Sequence, residues 1–170
     1  GARGWGYDDV LPYFRKNENW IGGANALHGG DGPIAVENAR WRTPLAEAFI
    51  ASTQQALGIP RNDDFNGAIR EGVGYWPLNT RYGRRSSTAE EMIKPNRRRH
   101  NLHILAEATV SKIEFDGREA RGVIYERGGQ THRAAARREI ILSAGALLTP
   151  QLLQLSGIGP ADLLARNGIP

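Results

Sequence analysis

The stretch Glu139-Ile-Ile-Leu-Ser-Ala-Gly-Ala-Leu-Leu-Thr-Pro-Gln-Leu-Leu-Gln-Leu-Ser-Gly-Ile-Gly159 decides the expected fold. Ile140, Ile141 and Leu142 form a short apolar run of the kind buried in a parallel sheet, so residues 139–142 read as a strand. Ser143, Ala144 and Gly145 follow, and their small side chains let a ligand approach the backbone. Thr149 reads as an N-cap and Pro150 as the first helical residue. Leu152, Leu153 and Leu155 can face a core, and Gly157, Gly159 and Pro160 end the helix. A strand, a small-residue turn and a helix N-terminus is how α/β folds hold dinucleotides.

Working outward, Val110–Phe115, Ala120–Arg127 and His132–Ala136 read as a three-strand meander, with turn signals at Asp116-Gly117 and Gly128-Gly129. Leu102, Ile104 and Leu105 lead into a strand ending at Ala106. Residues 1 to about 19 suggest a short helix, capped by Asp8 or Asp9, with Val10, Leu11 and Phe14 on its apolar face. Trp20–Gly32 is a Gly-rich loop, and Gly32–Glu37 alternates as a strand does. Thr43-Pro44 opens a helix in which Leu45, Ala48, Phe49, Ser52 and Ala56 keep the helical period, until Gly58 and Pro60 end it. Residues 61–86 have little periodicity. Ser86 or Ser87 caps a short helix through Glu90, Met92 and Ile93 that Pro95 stops.

The 170 residues suffice for a core, and 40% hydrophobic with 24% charged residues is a globular balance. Zero Cys excludes a disulfide framework and suits a reducing, cytoplasmic compartment. No apolar run approaches ~18 residues, so no membrane span is expected. The excess of 22 Lys+Arg over 18 Asp+Glu rests mainly on Arg, clustered at Arg84-Arg85, Arg97–Arg99 and Arg137-Arg138. No aromatic residues interleave with these runs and no nucleic-acid motif is visible, so a solvated surface is favoured over nucleic-acid binding.

Gly145, Ala146, Thr149, Pro150, Leu152, Leu153, Ser156, Gly157, Ile158 and Gly159 fall where the second signature of the glucose–methanol–choline (GMC) flavin oxidoreductases requires them. Gly4–Arg15, Asp64-Phe-Asn-Gly67, Glu71-Gly-Val-Gly74 and Arg97–Val110 are similar to other parts of the same family. The chain thus resembles the central part of such an enzyme, with local phrasing similar to choline-dehydrogenase-like members. The resemblance implies an α/β fold, α+β in this piece alone, in which part of a Rossmann-like FAD domain with a meander is interleaved with part of a substrate domain. It implies residues 1–28 as an N-terminal helix and Gly-rich loop, 29–96 as partial substrate domain, and 97–170 as partial FAD domain. No Gly-x-Gly-x-x-Gly occurs here, and no segment carries the family's catalytic His. A fragment is therefore expected, partnered by further N- and C-terminal segments of the same protein and inactive without them.

By the same resemblance, Val110 contacts the adenine end of FAD through its backbone. A core strand Val explains it equally well from the residues alone. Ser143, Ala144 and Gly145 approach the dinucleotide, and close strand–helix packing is the alternative. Gly145→Val is expected to weaken FAD binding more than stability. No catalytic residue is assigned. His28, His100, His103 and His132 read as surface or loop histidines, since no metal-ligand spacing surrounds them. Asp63 and Asp64 read as turn formers with Asn62, Asn66 and Gly67. Ser143 and Ser156 lack a His–Asp arrangement, so neither reads as a nucleophile.

The function implied is FAD-dependent oxidation of a small alcohol by hydride transfer to the flavin. The alternative is a non-catalytic module that binds a protein or anionic ligand through an Arg-rich face.

Overall fold

The computed structural model describes residues 2–169. The chain packs as two compact units, Gly1–Leu102 and His103–Pro170.

In the first unit, helix α1 (Tyr7–Asn17) opens at Gly6, whose N–H donates to Asp9 Oδ2 at 3.0 Å. Asp8 and Asp9 thus lie in the first turn, where the helix dipole favours negative charge, rather than at the cap itself. Val10 and Leu11 are half-buried, but Phe14 is exposed. The chain runs directly into β1 (Glu18–Trp20), which pairs in parallel with β2 (Ile34–Val36). The loop between them carries Gly29 and Gly32 against the end of α1. A Cβ on Gly29 would lie 1.8 Å from the Arg15 carbonyl oxygen, and one on Gly32 2.2 Å from the Asn17 carbonyl carbon. Only glycine fits either place.

Helix α2 (Pro44–Leu57) starts and stops as the sequence predicts. Thr43 Oγ1 accepts the Ala46 N–H at 3.2 Å, and Gly58 takes φ +64° after the last turn. Its facing differs from the expectation. The inner side carries Ala46, Glu47, Ile50, Thr53 and Gln54, with Ile50 buried, whereas Leu45 and Phe49 are exposed. The ion pair from Arg61 to Glu47, at 2.8 Å, lies on that inner side. The apolar stripe read from the sequence is left uncovered.

Residues 61–79 are irregular, as expected, and Asn62 organises them. Its amide donates to the carbonyls of Ile69 and Glu71, and its Oδ1 accepts the Asp64 N–H. Phe65 stacks on Trp76 with centroids 4.4 Å apart. A short hairpin that the sequence reading missed follows, β3 (Thr80–Arg81) with β4 (Arg84–Arg85). Its turn puts Tyr82 at φ +52° and Gly83 at +78°. Glu37 secures this turn, accepting from Tyr82 N–H at 3.2 Å, Thr80 Oγ1 at 3.1 Å and Arg40 at 3.0 Å.

Ser86 is buried and does not cap a helix. Its Oγ accepts the Ala35 N–H and donates to Glu91, tying β2 to the next segment. Ser87 Oγ accepts the Glu90 N–H. A π-helical turn (Ala89–Ile93) then leads into α3 (Lys94–Asn96). The helical run ends at Asn96, one residue after Pro95, so the stop comes where the sequence predicts to within a residue.

The second unit is built on an antiparallel meander, β5 (Thr109–Asp116), β6 (Glu119–Arg127) and β7 (Gln130–Ala135), as predicted. Each turn has two residues, and Gly128 and Gly129 both have positive φ, as a type I′ turn requires. Helix α4 (Gly145–Leu155) begins five residues earlier than expected. Thr149 and Pro150 lie inside it, and Thr149 Oγ1 reaches back to accept the Ala144 N–H at 3.1 Å. Leu152 is buried and Leu155 exposed. Ser156 Oγ accepts the Ile113 N–H at 2.8 Å, which joins the end of α4 to β5. Helix α5 (Ala161–Arg166) follows. Both helices end alike: Ile158 N–H bonds Leu153 O after Gly157, and Ile169 N–H bonds Leu164 O after Gly168.

Two expected strands are not formed. Residues 102–106 and 139–142 are extended coil, with Leu102, Ile104, Leu105 and Ile141 exposed. Strands of a parallel sheet exist through their neighbours, and among the described residues neither segment has a pairing partner. No described helix is long and apolar enough to cross a membrane.

Candidate functional site

All four residues expected to face the cofactor fall in the second unit. Ser143, Ala144 and Gly145 form the exposed entry to α4. Gly145 takes φ +89°, and a Cβ built on it meets nothing within 4 Å. The position therefore needs glycine for its backbone, and the space above it is open. The first N–H groups of α4 have no partner within the helix and form its positive end, to which anionic groups are attracted. Val110 lies near the start of β5, opposite Tyr125, and is 40% exposed. It is thus not a buried core valine. Val110 and the turn sit on separate elements, and the hydrogen bond that joins α4 to β5, Ser156 to Ile113, lies at the far end of α4 from Gly145.

Ser156 is buried and committed to Ile113 and the Leu152 carbonyl, a structural role. Arg84, Arg85, Arg97, Arg98, Arg99, Arg137 and Arg138 are all exposed. Among the described residues no group of His, Asp and Glu is placed to hold a metal ion.

His28 lies in a loop, as expected, but not at the surface. It is 2% exposed. Nδ1 lies 3.0 Å from Glu18 Oε2 and Nε2 3.1 Å from Asp64 Oδ2. Trp20 stacks on the ring at 4.9 Å. His100, His103 and His132 are exposed as expected. Asp64 does form the expected turn, accepting the Asn66 N–H at 3.1 Å, but its other oxygen reaches His28. A signal for the burial of His28 was present in the glycines after it, because a loop pressed on a helix end carries its neighbours inward. Beside this cluster, α1 borders a cavity of about 510 Å³ lined by Tyr7, Val10, Leu11, Phe14, His28 and Asn66 among others.

The family model described as GMC oxidoreductase matches residues 1–168. The chain belongs to the GMC oxidoreductase family. Across its whole length it is 47% identical to human mitochondrial choline dehydrogenase, of which it covers 28%. It is 46% identical to the oxygen-dependent choline dehydrogenase of Yersinia pseudotuberculosis serotype IB (strain PB1/+), covering 30% of that protein. The chain thus spans less than a third of these relatives. Among solved structures, pyridoxine 4-oxidase from Mesorbium loti superposes with a TM-score of 0.87 at 37% identity, over 99% of this chain and 33% of that one. An FAD-dependent oxidoreductase from Chaetomium thermophilum gives 0.87 at 34% identity, over 100% of this chain and 32% of that one. The mixed helix-and-strand fold is accordingly that of the GMC family.

Proposed function

We propose that the full-length protein is an FAD-dependent oxidoreductase that oxidises a small alcohol, similar to choline dehydrogenase, and that this chain supplies part of its cofactor and substrate surfaces. The observation that carries the reading is identity of 44–47% to choline dehydrogenases along the entire chain. Residues 29–96 contribute to the substrate side. Residues 97–170 contribute to the FAD side.

The residues present fit a dinucleotide. Gly145 offers open space where a side chain would stand, and the unpaired N–H groups entering α4 suit an anionic group. Val110, Ser143, Ala144 and Gly145 would hold FAD, Val110 through the backbone beside its half-exposed side chain. FAD, when bound, supplies the hydride acceptor. The chain's own part is to place and orient; the group that takes the hydroxyl proton lies in the remaining segments of the same polypeptide, its partners in the assembled enzyme. A cytoplasmic location belongs to the proposal on composition alone, and the human relative is named mitochondrial.

The test is the full-length protein purified and read for flavin absorbance, then supplied with choline and either oxygen or an artificial electron acceptor. Bound flavin with choline-dependent reduction supports the reading. Flavin that other alcohols reduce, but choline does not, moves the substrate. A protein with no flavin affinity overturns the function.

A further inference from the structure

The Glu18–His28–Asp64 cluster is ionisable, centred on a buried histidine and unused by the function above. A carboxylate oxygen only accepts hydrogen bonds, so both ring contacts are hydrogen bonds only when both ring nitrogens carry protons. With the ring 2% exposed, water cannot replace a lost contact. The ring is also fixed in place. Trp20 stacks on it, and Asn25 Oδ1 accepts the His28 backbone N–H at 2.9 Å.

The two carboxylates are not equally bound. Glu18 Oε2 also accepts the Gly29 N–H at 3.0 Å, and its side chain is 20% exposed. Asp64 belongs to the 62–67 loop, where its Oδ1 accepts the Asn66 N–H, and its side chain is 34% exposed. The charged groups around His28 are Glu18 from β1, Asp64 from the loop, and Arg15 from α1, whose Nε faces the His28 carbonyl at 3.4 Å. Strand β2 adds none, and Asp63 faces Arg61 instead. When one ring proton leaves, a carboxylate meets a lone pair, and Asp64 is the one free to turn toward water.

We propose that His28 is a proton-dependent latch: carrying both ring protons it pins the 62–67 loop to β1 through Asp64, and carrying one it lets the loop go. Asn66 lines the cavity beside α1, so release moves that cavity's wall. The proposal does not depend on the enzymatic reading.

Hydrogen exchange of the 62–67 amides in the intact protein tests it, at about pH 5.5 and about pH 8. Rates are scaled for intrinsic base catalysis and referenced to β6. In the wild type the scaled rate rises about tenfold or more at the higher pH, as loss of a charge-assisted hydrogen bond implies. In Asp64→Asn the amide oxygen keeps the Asn66 N–H and its NH2 faces Nε2, which suits an unprotonated ring nitrogen and not a protonated one, so the pH step reverses. In His28→Phe, which keeps the stack on Trp20, the loop is fast at both pH values. Equal scaled wild-type rates at the two pH values overturn the latch, as does an unchanged step in Asp64→Asn. The asparagine arm decides the matter even if the phenylalanine variant fails to fold.

Discussion

Ser156→Ala probes the joint on which the second unit depends. Strand β5 uses one edge for β6, and on the other the Ile113 N–H has Ser156 Oγ as its acceptor at 2.8 Å. Ile113 is 3% exposed, so the N–H left behind has no ready access to water. The Leu152 carbonyl loses the Ser156 hydroxyl but still accepts the Ser156 N–H at 3.1 Å, so it adds little to the cost. An unsatisfied buried donor costs about 1–3 kcal/mol. The expected fall in opening free energy is about 2 kcal/mol, roughly a thirtyfold rise in exchange of the β5–β6 amides. Native-state hydrogen exchange measures it directly. Ser143→Ala is the control, since Ser143 is exposed, and it should shift the same amides by less than about 0.3 kcal/mol. If Ser156→Ala falls within that control range, the Oγ–Ile113 bond is not what holds α4 to the meander.

Gly145→Val should now lower the melting temperature of the apo-protein as well as FAD affinity, because φ +89° strains a β-branched residue by itself. Gly145→Asn, which tolerates left-handed backbone, separates the effects: FAD titration should show affinity about tenfold weaker with the apo melting point nearly unchanged. Burial pushes the Glu37 carboxyl up, but hydrogen bonds from the Tyr82 N–H, Arg40 and Thr80 outweigh it and hold it below the usual 4.5. Its stabilisation is therefore full above the unfolded value and lost as pH falls through the lower folded one. Acid titration of amide exchange in residues 80–85 should show this release in the wild type, and Glu37→Gln should flatten the acid limb.

The elements most legible in the sequence were those specified by their own residues. Thr43-Pro44 and Gly58 bounded α2, and the glycine turns bounded the meander. The errors arose where structure depends on something distant. Ile140–Leu142 has the composition of a buried strand, but hydrogen bonds across a sheet are made with partners, and none is present among the described residues. The stripe of Leu45 and Phe49 gave the period of α2 correctly but not its direction, since Ile50 is the residue buried. Thr149 reads as an N-cap, yet it lies inside the helix, whose N-cap is Ala144. The turn at Ser143–Gly145 was legible from its small residues, and a cofactor role for it rests on the family resemblance. The His28 cluster was not legible, because its members are 10 and 36 positions apart and only the fold brings them together.

The meander also has a consequence for how the chain comes to be folded. Its two hairpins are joined by two-residue turns, so every pairing in β5–β6–β7 is between close neighbours in sequence. Chain segments with local contacts have little loop-closure entropy to overcome and organise rapidly, within ~1–10 μs for a hairpin. Ribosomes add only ~5–20 residues each second. The three strands can therefore be paired before α4 has left the exit tunnel. The Ser156–Ile113 bond, bridging 43 positions, is then a late docking event onto a surface already formed. Synthesis order and contact order agree in this half of the chain, with the scaffold first and the helix that presents Gly145 second.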